Sequence, residues 1–151
     1  PGIWYHGDWA KVDSDGSWFL YGRSDDTIKV AGKRVGPGEV ESVLVEHAQV
    51  AEAAVIGVPH EVKGECLVCF IVMMPGVSYS KDVEAQLRDM VGKRLGATLK
   101  PDTIIAIQSL PKTRSGKIVR ASIRRKYLGE AVGDLSSIEN PDALELIGSK
   151  A

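Results

Sequence analysis

Short apolar runs and apolar positions spaced three and four apart alternate along the chain, and each rhythm predicts a kind of element. In WAKVDSDGSWFLYG, residues 9–22, two strand-like segments flank Asp15-Gly16, a dipeptide that accepts the positive φ of a tight turn, so a hairpin is predicted. Arg23 to Asp26 are too polar to continue the strand and predict a short linker. TIKV and KRV flank Ala31-Gly32 and predict a second, smaller hairpin. From Pro37 to His47, Val40, Val43, Leu44 and His47 fall at i, i+3, i+4 and i+7, and Pro37 suits a first helical turn. Val50 to Val58 and Cys66 to Met74 are β-branched apolar runs separated by PHEVKGE, which predicts two adjacent strands. Ser80 caps a predicted second helix whose Val83, Leu87, Met90 and Val91 share a face and which ends near Gly96. TIIAI at 103–107 predicts a further strand, and 118–128 a third helix aligned on Val119, Ile123 and Tyr127.

Hairpin, linker, hairpin, helix, strand, strand, helix, strand, loop, helix is the order of an α+β domain over about 26–130, its helices packed on a small mixed sheet. Residues 131–151 have acidic residues at or within their borders (Glu130, Asp134, Glu139, Asp142, Glu145) and little periodic hydrophobicity, which reads as a loosely docked tail.

The 151 residues, 44% hydrophobic and 26% charged, describe an ordinary globular protein with room for one core plus a remnant of a neighbour. A net charge of -1 exerts no global pull on nucleic acid or anionic membrane. No apolar stretch reaches a membrane-spanning length, and the N-terminus lacks a basic region followed by a hydrophobic run, so the expected compartment is the cytoplasm. The chain begins at Pro1 and its first methionine is Met73, which reads as a piece of a longer protein. Cys66 and Cys69 form a CxxC inside a strand-like run; residues three apart in a strand face opposite ways, so the two sulfurs cannot share a metal and read as buried and inert.

SLPKTRSGKIVR, residues 109–120, has the outline of a phosphate-binding loop, but Pro111 stands where the first glycine is needed and Ile118 where a Ser or Thr would follow the lysine. What remains is a Thr-Arg-Ser-Gly turn presenting Lys117 between a strand and a helix. A solvated basic turn is the plain alternative. Against it stand seven basic residues and no acidic one from Lys112 to Lys126, the tight geometry that Ser115 and Gly116 allow, and apolar segments on both sides to hold the loop. Nucleic acid is disfavoured: only Tyr127 accompanies the cluster, and Arg120, Arg124 and Arg125 are spaced like one exposed helix face.

LPKTRSGKIVR, GRSDDTIKVAGKRVGPGEVE and YHGDWA together resemble the adenylate-forming superfamily of acyl-CoA synthetases, non-ribosomal adenylation domains and luciferases, closest to its AMP-forming acetyl-CoA synthetase branch. AEAAVIGVPHEVKGE strengthens the short-chain branch, and the motifs run in the expected order from Gly2 to about Gly129. The resemblance implies a C-terminal piece of an acid-thiol ligase that converts MgATP, a small carboxylic acid and coenzyme A to acyl-CoA, AMP and pyrophosphate through an acyl-adenylate. It implies that 1–24 end a large N-terminal domain, that 23–26 form a hinge, that 25–130 are a lid rotating between half-reactions, and that 131–151 are a tail. The N-terminal domain of the same full-length chain is then the partner, and the piece alone is expected to be inactive.

The same resemblance implies roles residue by residue. Asp8 and Arg23 match nucleotide-ribose contacts, Arg34 a further nucleotide contact, and Asp25 the hinge position. Ala31 and Gly32 match the hairpin that lines the pantetheine tunnel, where a missing side chain suits close approach. Val45, His47 and Val50 match positions that hold a metal in some relatives, partly through carbonyls; read from the residues, His47 is a helix-end histidine. Lys117 matches the lysine of adenylation, an ammonium set between carboxylate and α-phosphate. Its acetylation would remove that charge, a control for which the family is known. His6 and Gly92 depart from the family pattern, the second near an arginine facing the phosphates of coenzyme A, for which Lys93 or Arg94 could substitute. An adenylation domain that loads a carrier protein, and a non-catalytic module binding coenzyme A or a partner, are the alternatives.

Overall fold

The computed structural model describes residues 8–23 and 26–148, the side chains of 8, 9 and 19–23 excepted. The first hairpin pairs β1 (Asp8–Val12) with β2 (Trp18–Arg23) antiparallel. Its turn closes where the Gly16 N–H donates to the Asp13 carbonyl at 2.9 Å, and Gly16 takes the positive φ of 84° that the sequence anticipates. The second hairpin joins β3 (Ile28–Val30) to β4 (Lys33–Val35).

Helix α1 (Pro37–Val45) follows with Pro37 in its first turn, and the Glu39 carboxylate accepts from the Gly36 N–H at 3.1 Å. Val40, Val43 and Leu44 are buried as their spacing predicts, whereas His47 lies past the last helical residue. The long strands β5 (Val50–His60) and β6 (Gly64–Met73) pair antiparallel. Helix α2 (Lys81–Leu95) is capped by Ser80, whose Oγ accepts from the Val83 N–H at 3.3 Å, and stops at Gly96, at φ 112°. After a 3-10 turn (Ala97–Leu99), β7 (Thr103–Ala106) adds to β6 in parallel. Helix α3 (Arg120–Tyr127) starts two residues later than the sequence pattern suggests, because Ile118 is bridged to Lys112 and the Val119 N–H donates to the Pro111 carbonyl at 3.2 Å.

The fold is α+β around a five-stranded mixed sheet ordered β4-β3-β6-β5, with β7 sharing the β6 edge that β3 reaches only at Val30 and Gly64. Both faces of β5 and β6 are covered, which explains their unbroken apolar runs. On one face Ala53, Val55, Leu67, Cys69 and Ile71 pack with α1 and α2. On the other, Ala54, Ile56, Val68 and Phe70 meet Leu110, α3 and Ile147. Phe70 and Tyr127 make an edge-to-face pair with centroids 5.8 Å apart. Cys66 and Cys69 are buried on opposite faces, as the strand period requires. Burial pushes the Cys69 thiol far up from its ordinary value, so it stays protonated and unreactive.

The segment from Ile138 to Ile147 is not loosely docked. Ile138, Ala143, Leu144 and Ile147 are buried, the last three in or directly after a 3-10 helix (Pro141–Leu146). Asn140 makes two hydrogen bonds to extended backbone, its Nδ2 donating to the Leu110 carbonyl at 2.9 Å and its Oδ1 accepting from the Lys112 N–H at 2.8 Å. Thr113 is bridged to Ile138. Ala143, Leu144 and Ile147 stand one, three and four positions apart, but over a single short 3-10 turn these are too few to mark a helix. No helix among the described residues is long and apolar enough to cross a membrane.

Candidate functional site

The turn before α3 is braced from within. Its Gly116 N–H donates to the Thr113 carbonyl at 2.9 Å with Gly116 at φ 83°, and the Thr113 N–H donates to the Lys117 carbonyl at 2.9 Å. Thr113 Oγ1 accepts from the Lys117 N–H at 3.2 Å and lies 3.0 Å from Ser115 Oγ. Both backbone groups of Lys117 are therefore held, while its side chain is exposed and its ammonium has no hydrogen bond or ion pair among the described residues. A fixed backbone under a free cation suits a group that awaits an anionic ligand.

Three of the six basic residues around Lys117 are neutralised, and their partners come from distant sequence. Lys112 pairs with Glu52, and Lys126 with Glu145 at 3.0 Å. Arg124 Nε donates to the Gly57 carbonyl at 2.7 Å. Arg120 grips Glu41 with two bonds, Nε to Oε1 at 2.6 Å and Nη2 to Oε2 at 2.5 Å. The reading of Arg120, Arg124 and Arg125 as one exposed helix face is thus corrected: the first two turn inward to the sheet edge and only Arg125 is exposed. Glu41 is only 8% exposed, and its hydrogen bonds hold the Arg120 guanidinium above its usual range against the burial that would lower it, with Asp26 adding to the pull. A cavity of about 400 Å³ separates Asp26 and Thr27 from Arg120 and Arg124. Glu41 escaped the sequence reading, yet it sits four residues after Pro37 and three before Leu44, on the buried stripe of α1, where a carboxylate needs a partner.

The Ala31-Gly32 turn projects from the β3–β4 hairpin with both residues exposed and both at positive φ, 47° and 84°, the two-residue geometry that matches strand twist. Ala31 is the described non-glycine residue in this region of φ, where a side chain is strained. Its N–H donates to the Lys63 carbonyl at 2.8 Å, and Lys63 Nζ reaches Asp102 Oδ1 at 2.7 Å. A Cβ at Gly32 would meet no atom within 4 Å, so within the described residues its φ, not crowding, calls for glycine. Arg34 is exposed on β4, opposite Lys29.

Asp8 and Arg23 are register partners at the open end of the first hairpin, so their backbones stand side by side; their side chains, like all of Asp25, lie outside the described residues. Lys117, the Ala31-Gly32 turn and the Asp8–Arg23 pair occupy separate places in the fold, and no described contact joins them. The His47 ring is fully engaged: Nε2 bonds Gln86 Oε1 at 2.9 Å and Nδ1 accepts from the Gln49 N–H at 3.3 Å. Its carbonyl accepts from the Val50 N–H at 3.0 Å. Val45, His47 and Val50 therefore offer no free side-chain donor to a metal, and no three His, Cys, Asp or Glu side chains gather as a metal site among the described residues. Near Gly92, Lys93 pairs with Asp89 at 2.8 Å and Arg94 with Glu46 at 2.8 and 3.1 Å. The Lys100 stem fills the space that a side chain at Gly92 would need.

A profile of the family described as AMP-binding enzyme C-terminal domain matches residues 39–117. The chain is 48% identical over 147 residues to the acetyl-coenzyme A synthetase of Methanothrix thermoacetophila, covering 97% of this chain and 22% of that protein. It is 42% identical over 147 residues to the 3-hydroxypropionyl-coenzyme A synthetase of Sulfurisphaera tokodaii, again covering 97% and 22%. Among solved structures, the acetoacetyl-CoA synthetase from Streptomyces lividans superposes with a TM-score of 0.82 at 26% identity, covering 96% of this chain and 22% of that one. The chain spans about a fifth of the length of the relatives it matches.

Proposed function

Because the chain belongs to the AMP-binding enzyme C-terminal domain family, we propose that it is the C-terminal part of an AMP-forming short-chain acyl-CoA ligase and works as the lid of that enzyme. In the first half-reaction a carboxylate oxygen attacks the α-phosphorus of ATP and pyrophosphate leaves; in the second the thiol of coenzyme A attacks the acyl carbonyl and AMP leaves. Residues 1–24 end the N-terminal domain, 23–26 with Asp25 form the hinge, and the following domain rotates between the two steps. Exposure of Trp18 at 72% and of its register partner Val12 at 47% supports a first hairpin made to be covered by a larger body.

Lys117 carries the first step. Its ammonium, brought to the carboxylate and the α-phosphate, aligns the nucleophile and offsets charge that develops on the transferring phosphoryl group. Asp8, Arg23 and Arg34 hold the nucleotide, and the Ala31-Gly32 turn lines the path of pantetheine. Magnesium enters with ATP on its phosphates. The enzyme works in the cytoplasm on soluble substrates.

The observation that carries this reading is a lysine whose backbone is fixed at both N–H and C=O while its ammonium is unpaired among the described residues. The test uses the full-length synthetase with Lys117→Ala. Adenylation followed by pyrophosphate exchange should fall by on the order of 10²–10³ or more, while thioester formation from supplied acyl-adenylate persists. Equal loss in both steps would reject the role, and wild-type protein that turns over no short acid would point instead to a binding module.

A further inference from the structure

Strand β5 pairs only with β6 among the described strands, so its outer edge carries backbone groups that need partners. At the middle of that edge Val55 and Gly57 are buried, where an unpaired backbone group is costly. Instead the Val55 N–H donates to Glu41 Oε1 at 2.9 Å, and the Gly57 carbonyl accepts from Arg124 Nε at 2.7 Å. Glu41 comes from α1 on one face of the sheet, and Arg124 and Arg120 from α3 on the other. The two-bonded contact of Arg120 with Glu41 closes the edge between residues 79 positions apart.

Arg120 is also the first residue of α3, three positions after Lys117. Between them Ile118 is bridged to Lys112 and the Val119 N–H is tied to the Pro111 carbonyl, so little slack remains. Where Arg120 is pinned, the start of α3 and the base of the lysine turn are pinned too. A buried ion pair is weak evidence of stabilisation, since apolar replacements of similar volume are often neutral or better. What the pair adds is a fixed direction: a planar guanidinium meets a carboxylate in one orientation, which a lysine cannot reproduce.

We propose that the Glu41–Arg120 pair is a positioning device for Lys117, setting the distance and angle at which the ammonium meets the reacting carboxylate and phosphate during adenylation. Neither residue touches substrate in this account; both act through the turn. The inference rests on the proposed role of Lys117 in the first half-reaction. A misplacement of about 1 Å can cost on the order of 10²-fold in rate, so a partial loosening should cost roughly tenfold.

The test is made in the full-length synthetase with Glu41→Gln, which keeps an acceptor for the Val55 N–H, and with Arg120→Lys. Each should lower kcat for acyl-adenylate formation about tenfold with KM for ATP changed less than about threefold, and leave thioester formation from supplied acyl-adenylate within about twofold. Combined with Lys117→Ala, neither should reduce adenylation further, because the group they position is gone. If Glu41→Gln fails to fold, Arg120→Lys carries the same readouts. Parallel loss of both half-reactions, or a full multiplicative loss on top of Lys117→Ala, would mean a structural role and overturn the proposal. Collapse of adenylation in Lys117→Ala with both pair variants fully active would overturn this inference alone. Intact adenylation in Lys117→Ala would overturn the functional reading, and this inference with it.

Discussion

At the Ala31-Gly32 turn both central residues hold positive φ and backbone with a single methyl is offered outward; at the Thr113–Gly116 turn only Gly116 does, and the next residue offers a long cation. The first is held through backbone, by the β3–β4 register and the Lys63 carbonyl. The second has its own backbone bonds and is held through side chains as well: the Thr113 hydroxyl, Asn140 and the Glu41–Arg120 pair. A loop that must leave room for a ligand is best made of glycine and main chain. A loop that must aim one atom needs its base fixed from several directions. The two turns should therefore fail in different ways.

The largest expected effect separates them most sharply. Gly32→Leu places a branched side chain at φ 84°, a strain of roughly 1–2 kcal/mol, and fills the proposed pantetheine path. Thioester formation should fall on the order of 10²-fold with adenylation little changed, as measured by the two half-reaction rates. Next is Asn140→Ala, which strands the Lys112 N–H and the Leu110 carbonyl. It should cost about 2–3 kcal/mol in denaturant unfolding and slow adenylation more than thioester formation, since it loosens only the second turn. The smallest is Ala31→Asn, which gives the first turn the Asn-Gly pair its geometry favours. A gain of up to about 1 kcal/mol in thermal unfolding, with adenylation unchanged and thioester formation lowered far less than in Gly32→Leu, would agree with a turn whose work is done by main chain.

Much of this was legible in the sequence because it depends on neighbours. Gly16 and Gly32 announced their turns, Ser80 and Gly96 marked the ends of α2, and the unbroken runs of β5 and β6 signalled two adjacent strands. The Lys117 turn could be read because Ser115 and Gly116 are adjacent to it. What stayed hidden depends on chain segments far apart. The basic run from Lys112 to Lys126 has no acid within it, so it read as a patch, while Glu41, Glu52 and Glu145 arrive through tertiary packing. Ile138, Leu144 and Ile147 are too few and too scattered to mark a helix or strand, so their burial left no pattern to detect.

The central claim is that each turn serves its own half-reaction. It is tested most directly by measuring pyrophosphate exchange and thioester formation from supplied acyl-adenylate, side by side, in full-length Lys117→Ala and Gly32→Leu. Crossed losses are expected, the lysine variant failing in the first assay and the glycine variant in the second. Both variants losing both activities in the same proportion would contradict it.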